Sequence, residues 1–205
     1  GDFAWRRNGK LVAFRSEAQF RRSRVQLTDP DRQQVLGAAE LRALEPALQA
    51  SPFVGGVFTP DEEVGDCHAF CLRLAAALQA CGQCQFRLGQ PVTQLLHREH
   101  QVVALRLGHE ELPIDQLVLC AGYRSAALKV PGGNIPIYPL KGYSLTAPLV
   151  PGQGALEISL TDYERKIVYA RLDRQLRVAA MVDIVGQDEA LDKRRLQSMR
   201  RLALE

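Results

Sequence analysis

At 205 residues, with 46% hydrophobic and 24% charged, the chain has the balance of a folded, water-compatible protein long enough to bury a sizeable core. The net charge of +3 is small, and the basic pairs Arg6-Arg7, Arg21-Arg22, Arg194-Arg195 and Arg200-Arg201 are scattered, so the expectation is solvated faces and no nucleic-acid partner. No apolar run approaches the roughly 18 residues of a membrane-spanning helix, and an odd count of five cysteines without a secretory leader points to reduced thiols in a cytoplasmic setting.

The chain opens on Gly1-Asp2 without an initiator methionine and closes on Leu204-Glu205. It reads as a cut piece of a longer protein, and the closing pair as either native or vector-derived. Residues 3–14 predict a hairpin, because Asn8-Gly9 separates two β-rich runs. From Asp31 to Leu48 the pattern turns helical, with Leu36, Leu41 and Leu44 as apolar positions and Pro46 as a stop; a second short helix is expected to begin near Ala38. Residues 55–58 predict a short strand or loop. Asp66 is a good cap for the clearest helix, 67–80, whose apolar stripe is Cys67, Phe70, Cys71, Leu74, Leu78 and Cys81. Gly82 is its expected stop. Strands are expected at 84–88, 92–96, 102–107 and 112–114. After Pro131-Gly132-Gly133 the character changes to an antiparallel meander over 135–146, 156–160, 166–172 and 176–185, with a turn at Asp173-Arg174. A basic helix over 188–204 closes the chain.

The organising stretch runs from Asp115 to Thr146. Leu117-Val118-Leu119-Cys120 is a short continuous apolar run, the pattern of a strand covered on both faces. Ala121-Gly122 strips side-chain bulk from its carboxyl end, where open α/β sheets bind ligands and glycine lets a backbone come close. Ser125 is placed to cap a short helix through Leu128. An ordinary strand-to-helix turn explains the same residues equally well.

The string LVLCAGYRS followed by IPIYPLKGYSLTAP resembles the middle of the FAD-dependent D-amino-acid dehydrogenases, within the D-amino-acid oxidase and glycine oxidase group of flavoproteins. The resemblance continues, colinearly, through EPAL at 45–48, GGVFTPDEEVGDCHAF at 55–70 and RLDRQLRVAAMVDIVG at 171–186. It implies a mixed α/β plus α+β fold, with part of a dinucleotide-type FAD-binding domain interleaved with an antiparallel-sheet substrate domain. By the same resemblance, residues 1–52 and 131–186 belong to the substrate side, residues 53–130 to the flavin side, and 187–205 form a C-terminal helix. The implied reaction is oxidative deamination of a D-amino acid by hydride transfer to FAD, with electrons passed to a non-oxygen acceptor of the respiratory chain. The implied location is cytoplasmic, with peripheral attachment to the cytoplasmic face of the inner membrane as an extension.

Such chemistry needs a flavin cradle and a cationic or hydroxyl clamp for a carboxylate, because the cofactor carries the hard step. By resemblance, Val92, Ala121 and Gly122 are the cofactor-binding candidates, although Val92 suits plain strand core as well. Tyr138, Lys141, Tyr143 and, with a weaker claim, Arg171 are the substrate-binding candidates. Along a strand Lys141 and Tyr143 share a face, with Tyr138 opposite unless Pro139 disturbs the alternation. Cross-strand packing for Tyr143 and solvent exposure for Lys141 are the competing readings.

Three positions depart from the family pattern. Ala179 and Ala180 stand where glycines are usual, Asp183 where glutamate is more usual, and Arg124 where an aromatic often precedes the serine. The two added methyls are expected to crowd a close contact. The chain carries no G-x-G-x-x-G; in the family that fingerprint lies upstream and a second flavin-contacting stretch downstream. This chain by itself is therefore expected not to hold FAD stably, and to show some self-association through uncovered sheet edges. A non-catalytic ligand-binding or interaction module that keeps the fold, and a glycine- or sarcosine-type oxidase, remain as alternative functions.

Cys67-x3-Cys71, Cys81-x2-Cys84 and His68 invite a zinc reading. The helical spacing favours small buried hydrophobes instead, and no metal is expected. Cys81-Gly82-Gln83-Cys84 imitates a redox pair, but it follows a helix rather than preceding one.

Overall fold

Leu11 on one strand, Leu160 on a second, Tyr169 on a third and Val178 on a fourth stand side by side across the main sheet of the computed structural model. The structure describes residues 3–150, 152 and 154–204; Gly1-Asp2 and Glu205, read above as cut or vector-derived ends, lie outside the described residues. In chain order the strands are β1 (Arg6–Arg7), β2 (Lys10–Phe14), β3 (Gln34–Gly37), β4 (Gly55–Thr59), β5 (Glu63–Val64), β6 (Val92–Arg98), β7 (Gln101–Leu107), β8 (Glu110–Pro113), β9 (Lys141–Pro148), β10 (Ser159–Asp162), β11 (Ile167–Leu172) and β12 (Gln175–Asp183). The helices are α1 (Glu17–Val25), α2 (Ala38–Leu44), α3 (Cys67–Ala80) and α4 (Lys193–Leu204).

Two units divide the chain. Residues 1–77, 142–183 and 189–205 form the first; residues 78–141 and 184–188 form the second. The first unit is built on a seven-stranded sheet in the order β3-β4-β2-β10-β11-β12-β9. All the recorded pairings are antiparallel except β2 with β10, which is parallel. Because side chains alternate along a strand, the register sorts them into two faces. Leu11, Phe58, Leu160, Tyr169 and Val178 share one face; Val12, Val57, Thr161, Val168 and Ala179 share the other. The first face is covered at one end by α2, through Leu41, and at the other by α4, through Met199; both side chains are fully buried. The second face is covered near β2 and β4 by α1, where Phe20 packs with Phe14 and Val57.

Buried polar groups tie the first unit together. Glu45 accepts backbone N–H bonds from Ala47 (3.3 Å), Glu157 (2.8 Å) and Ile158 (3.0 Å). Asp162, fully buried, accepts from Arg15 Nε at 2.7 Å and from the Arg165 N–H at 3.2 Å. Next to it the Tyr169 phenol titrates above its ordinary range, first because it is buried and second because it faces the Asp162 carboxylate.

The second unit holds a three-stranded antiparallel sheet, β6-β7-β8, as expected from the three short apolar runs. The long helix α3 and its cap are also as expected: Asp66 Oδ1 accepts from the N–H groups of His68 (2.9 Å) and Ala69 (3.0 Å). Gly82 follows with φ +70, the left-handed conformation that ends helices. The apolar stripe of α3 is not buried, however; Phe70, Leu74 and Leu78 are all exposed.

Several sequence expectations are corrected. The hairpin over 3–14 does not form: β1 pairs with β5 and β2 with β4 and β10. Gly9 does turn (φ +82), but its N–H donates to Glu62 O at 3.0 Å and the Asn8 amide to Glu157 O, so each arm takes a distant partner. The helix expected from Asp31 does not start there: Asp31 and Arg32 lie in a turn and Gln34–Gly37 form β3, because Val35 and Leu36 pair with Val57 and Gly56 of β4. A helix starts only at Ala38, with the Glu40 carboxylate accepting from the Gly37 N–H at 2.7 Å. Helix α1 carries one buried residue, Phe20, too weak an apolar period to announce itself. Residues 84–88 and 117–120 are not strands. A strand needs a hydrogen-bonded neighbour, and none lies beside either run among the described residues; Val118 and Leu88 are both exposed. Ser125 caps nothing. It is a buried member of a 3-10 turn, Gly122–Ala127. Pro136 and Pro139 delay β9 to Lys141, and β10 starts at Ser159 because the N–H groups of Glu157 and Ile158 go to Glu45 instead.

Candidate functional site

Beyond α1, the second face of the main sheet lies open along β11, β12 and β9, with Val168, Ser144 and Arg177 exposed there. The residues on it are small or flat: Gly142 and Ser144 from β9, Ala170 from β11 and Ala179 from β12. Gly142, Ser144 and Ala179 border a hollow of about 740 Å³. Its lining includes Lys166 and Arg177 and no carboxylate. The Arg177 guanidinium Nη2 donates to Ser144 Oγ at 3.2 Å, which fixes both on this face. Met181 closes one end with a left-handed backbone, φ +63, a strand irregularity of the kind that re-aims neighbouring side chains.

A second cavity of about 420 Å³ lies on the covered face, among Leu48, Phe53, Leu156, Tyr169 and Ala203. Its charged group, Arg15, is committed to Asp162. The lining is otherwise largely apolar, so the open hollow is the better place for a charged substrate.

The departures at 179 and 180 separate by face. Ala180 is buried with Tyr143, Val178 and Met199, so its methyl belongs to the core. Ala179, half-buried on the open face, adds its methyl to the hollow, and Ala180 also borders it. Neither residue has a left-handed backbone, so neither position requires glycine for its conformation.

Tyr143 is 4% exposed and points to the covered face, where its hydroxyl donates to Asp183 Oδ2 at 2.9 Å. Arg195 of α4 also holds Asp183, through Nε at 3.3 Å and through Nη2; the hydrogen bond to Asp183 raises the Arg195 pKa further. Asp183, one of the departures, is thus the acceptor that ties β9, β12 and α4 together. Tyr143→Phe is expected to lower stability by about 1 kcal/mol, the net worth of such a bond, with an unchanged denaturant slope in urea unfolding. Arg171 lies on the covered side as well, paired with Glu157, which Arg6 also holds at 3.1 Å.

In the second unit, Lys141 is mostly buried and lies 3.8 Å from Asp188, while Tyr138 is exposed. Val92 opens β6 opposite Leu107 and is half-buried. Ala121 and Gly122 are exposed; Gly122 has φ +56, and a Cβ there would meet nothing within 4 Å. A flat or phosphate-bearing group therefore has room to approach this backbone, so these residues fit a cofactor contact. The sequence motifs missed Arg177 and Asp162: the first sat in a run quoted for resemblance alone, and the second in no motif. Their signal was the alternation of the meander, which puts Arg177 beside Ala179 rather than beside Tyr143.

The family described as FAD dependent oxidoreductase matches residues 1–205. D-amino acid dehydrogenase 2 of Pseudomonas aeruginosa is 56% identical over 201 residues, covering 98% of this chain and 48% of that protein. A protein of the same name from Ralstonia nicotianae is 41% identical over 208 residues, covering 96% and 49%. The chain spans about half the length of these curated relatives. Among solved structures, iminodiacetate oxidase from Chelativorans sp. BNC1 superposes with TM-score 0.80 at 20% identity, covering 99% of this chain and 56% of that one. Glycine oxidase from Geobacillus kaustophilus gives TM-score 0.80 at 16% identity, covering 98% and 55%. These two share the fold. The expected mixed α/β architecture with an antiparallel sheet is borne out, and the chain belongs to the FAD-dependent oxidoreductase family.

Proposed function

We propose that the chain is the central part of an FAD-dependent D-amino-acid dehydrogenase. The observation that carries this reading is the 56% identity to a D-amino acid dehydrogenase across 98% of the chain. In this reading the seven-stranded sheet is the substrate side and the unit centred on residues 78–141 the flavin side. FAD, when bound, supplies the hydride acceptor for the substrate α-carbon. Val92, Ala121 and Gly122 contact the cofactor by backbone. Tyr138 and Lys141 serve the substrate end, while Tyr143 and Arg171 position the sheet through Asp183 and Glu157. The open face of β9, β11 and β12 provides a flat, small-residue wall that excludes water from the reacting atoms and orients the substrate.

Electrons leave to a non-oxygen acceptor of the respiratory chain, at the cytoplasmic face of the inner membrane. No helix among the described residues is long and apolar enough to cross a membrane, so attachment there is peripheral in this reading. Uncovered edges favour self-association.

The test uses the full-length protein containing this segment, loaded with FAD and made anaerobic. D-alanine is expected to bleach the flavin absorbance, L-alanine is not, and an added quinone or dye is expected to restore it faster than air. Rapid reoxidation by dioxygen would replace the dehydrogenase reading with an oxidase, and no bleaching by any D- or L-amino acid would favour a non-catalytic module.

A further inference from the structure

We propose that the outer face of α4 is a docking surface for an anionic phospholipid bilayer; the inference rests on the peripheral attachment proposed above and names the surface that makes it. α4 carries Lys193, Arg194, Arg195, Arg200 and Arg201 and no acidic residue, more positive charge than the whole chain's net +3. Two basic pairs that stand apart in the sequence are thus brought onto one helix. Leu196, Met199, Leu202 and Ala203 turn inward to the sheet, and Arg195 is held by Asp183. At about 3.6 residues per turn, Lys193, Arg194, Gln197, Arg200 and Arg201 then share an outward arc of about 120°, and all five are exposed. The four cations of that arc have no ion-pair partner among the described residues. Asp192, the acid next to them in sequence, is turned to the backbone N–H groups of Arg194 (2.8 Å) and Arg195 (3.3 Å).

Helix stability does not account for all of this charge. Arg201 in the last turn suits the negative end of the helix dipole, whereas Lys193 and Arg194 stand in the first turn, where the dipole opposes them. Four cations along about 12 Å of one convex helix match a partner that presents negative charge in a plane. The headgroups of an anionic bilayer do so, and basic helix faces are held there by them. A nucleic acid is the poorer complement, because α4 offers no aromatic side chain to stack on a base. Leu191, 70% exposed just ahead of the helix, adds an apolar side chain beside the cations, which suits the boundary between headgroups and acyl chains.

The experiment uses the full-length, FAD-loaded protein, sedimented with vesicles of phosphatidylcholine, pure or mixed with phosphatidylglycerol. A variant with Arg194→Gln, Arg200→Gln and Arg201→Gln is compared with one carrying Arg21→Gln, Arg22→Gln and Arg24→Gln, which removes equal charge from exposed positions of α1. None of the six lines the open hollow, so turnover of D-alanine with a soluble dye is expected to be unchanged in both. The wild-type protein is expected to bind the anionic vesicles and not the neutral ones, and less as salt is raised. The α4 variant is expected to lose about tenfold or more of that affinity, and the α1 variant to keep most of it. Equal losses in the two variants, or equal wild-type binding to neutral vesicles, overturn the assignment; wild-type binding to a DNA duplex in place of vesicles does so in favour of a nucleic acid. Undiminished binding by the α4 variant overturns the part given to α4 and leaves peripheral attachment standing, whereas no wild-type binding to any vesicle overturns both. Should the protein not oxidise D-alanine, the proposed reaction fails by itself, and vesicle binding still decides for or against the surface.

Discussion

Replacing Asp162 by alanine is expected to lower the stability of the protein by about 3 kcal/mol, the low end of what breaking a buried ion pair costs. The carboxylate is fully buried, 2.7 Å from Arg15 Nε, and also holds the Arg165 N–H. Its removal leaves a guanidinium near the core without a counter-charge. Arg15 keeps a fifth of its side chain in water (20%), which moderates the loss. Urea unfolding should show the midpoint fall with little change in slope. The substitution has an alkaline signature as well. The raised Tyr169 pKa means that part of the stability is present below the ordinary phenol value of 10.0 and is lost as pH rises through the folded value. Removing Asp162 removes one of the two causes that raise the phenol, so the alkaline loss, which starts from the unchanged unfolded-state value, should be smaller in the variant and complete at lower pH. An Asp162→Ala protein with wild-type midpoint would mean that Arg15 finds water or another partner at no cost.

Glu45→Ala carries the second large effect, on the order of 3 kcal/mol. Three backbone N–H groups lose their acceptor at once, and those of Glu157 and Ile158 have no strand partner to turn to; each buried donor left unpaired costs about 1–3 kcal/mol. Glu45→Gln keeps one carbonyl oxygen and should cost clearly less. Equal losses for the two variants in urea unfolding would show that charge, not hydrogen-bond capacity, holds the segment. Because Glu45 sits beside α2 and Glu157 leads into β10, the loss should also loosen the approach of β10 to β2.

Some of this was legible in the sequence. The helix α3 carried its cap, its stripe and its stop within one local window, and the three strands of the small sheet each had a short apolar run with turns between them. The meander after residue 140 was legible for the same reason. What could not be read locally was partner choice. Asn8-Gly9 has good turn chemistry, yet β2 pairs with β4 and β10, a decision made by packing on both faces of the sheet. The run at 117–120 has strand composition but no neighbour among the described residues. At the site, the motif that carried the family resemblance drew attention to Tyr143, while alternation places its hydroxyl on the covered side with Asp183. Arg177, one strand away, faces the hollow. Motif specificity identified the right strands; the register decided which of their residues face the ligand side.

The parallel pairing of β2 with β10 also sets the order in which the molecule can come together. Leu11 waits for Leu160, roughly 150 residues later, and residues 78–141 of the second unit lie in the loop that must be closed. At ribosomal rates of about 5–20 residues per second, that is a delay of very roughly 10–30 seconds. Once β4 has emerged, β2 has that strand on one side and an unsatisfied edge on the other. Closing so long a loop is entropically dearer than closing a hairpin and weighs on folding rate through contact order. The nascent chain is therefore most exposed to mispairing between the emergence of β4 and that of β10, and it is in that interval that a chaperone would find its strand edge.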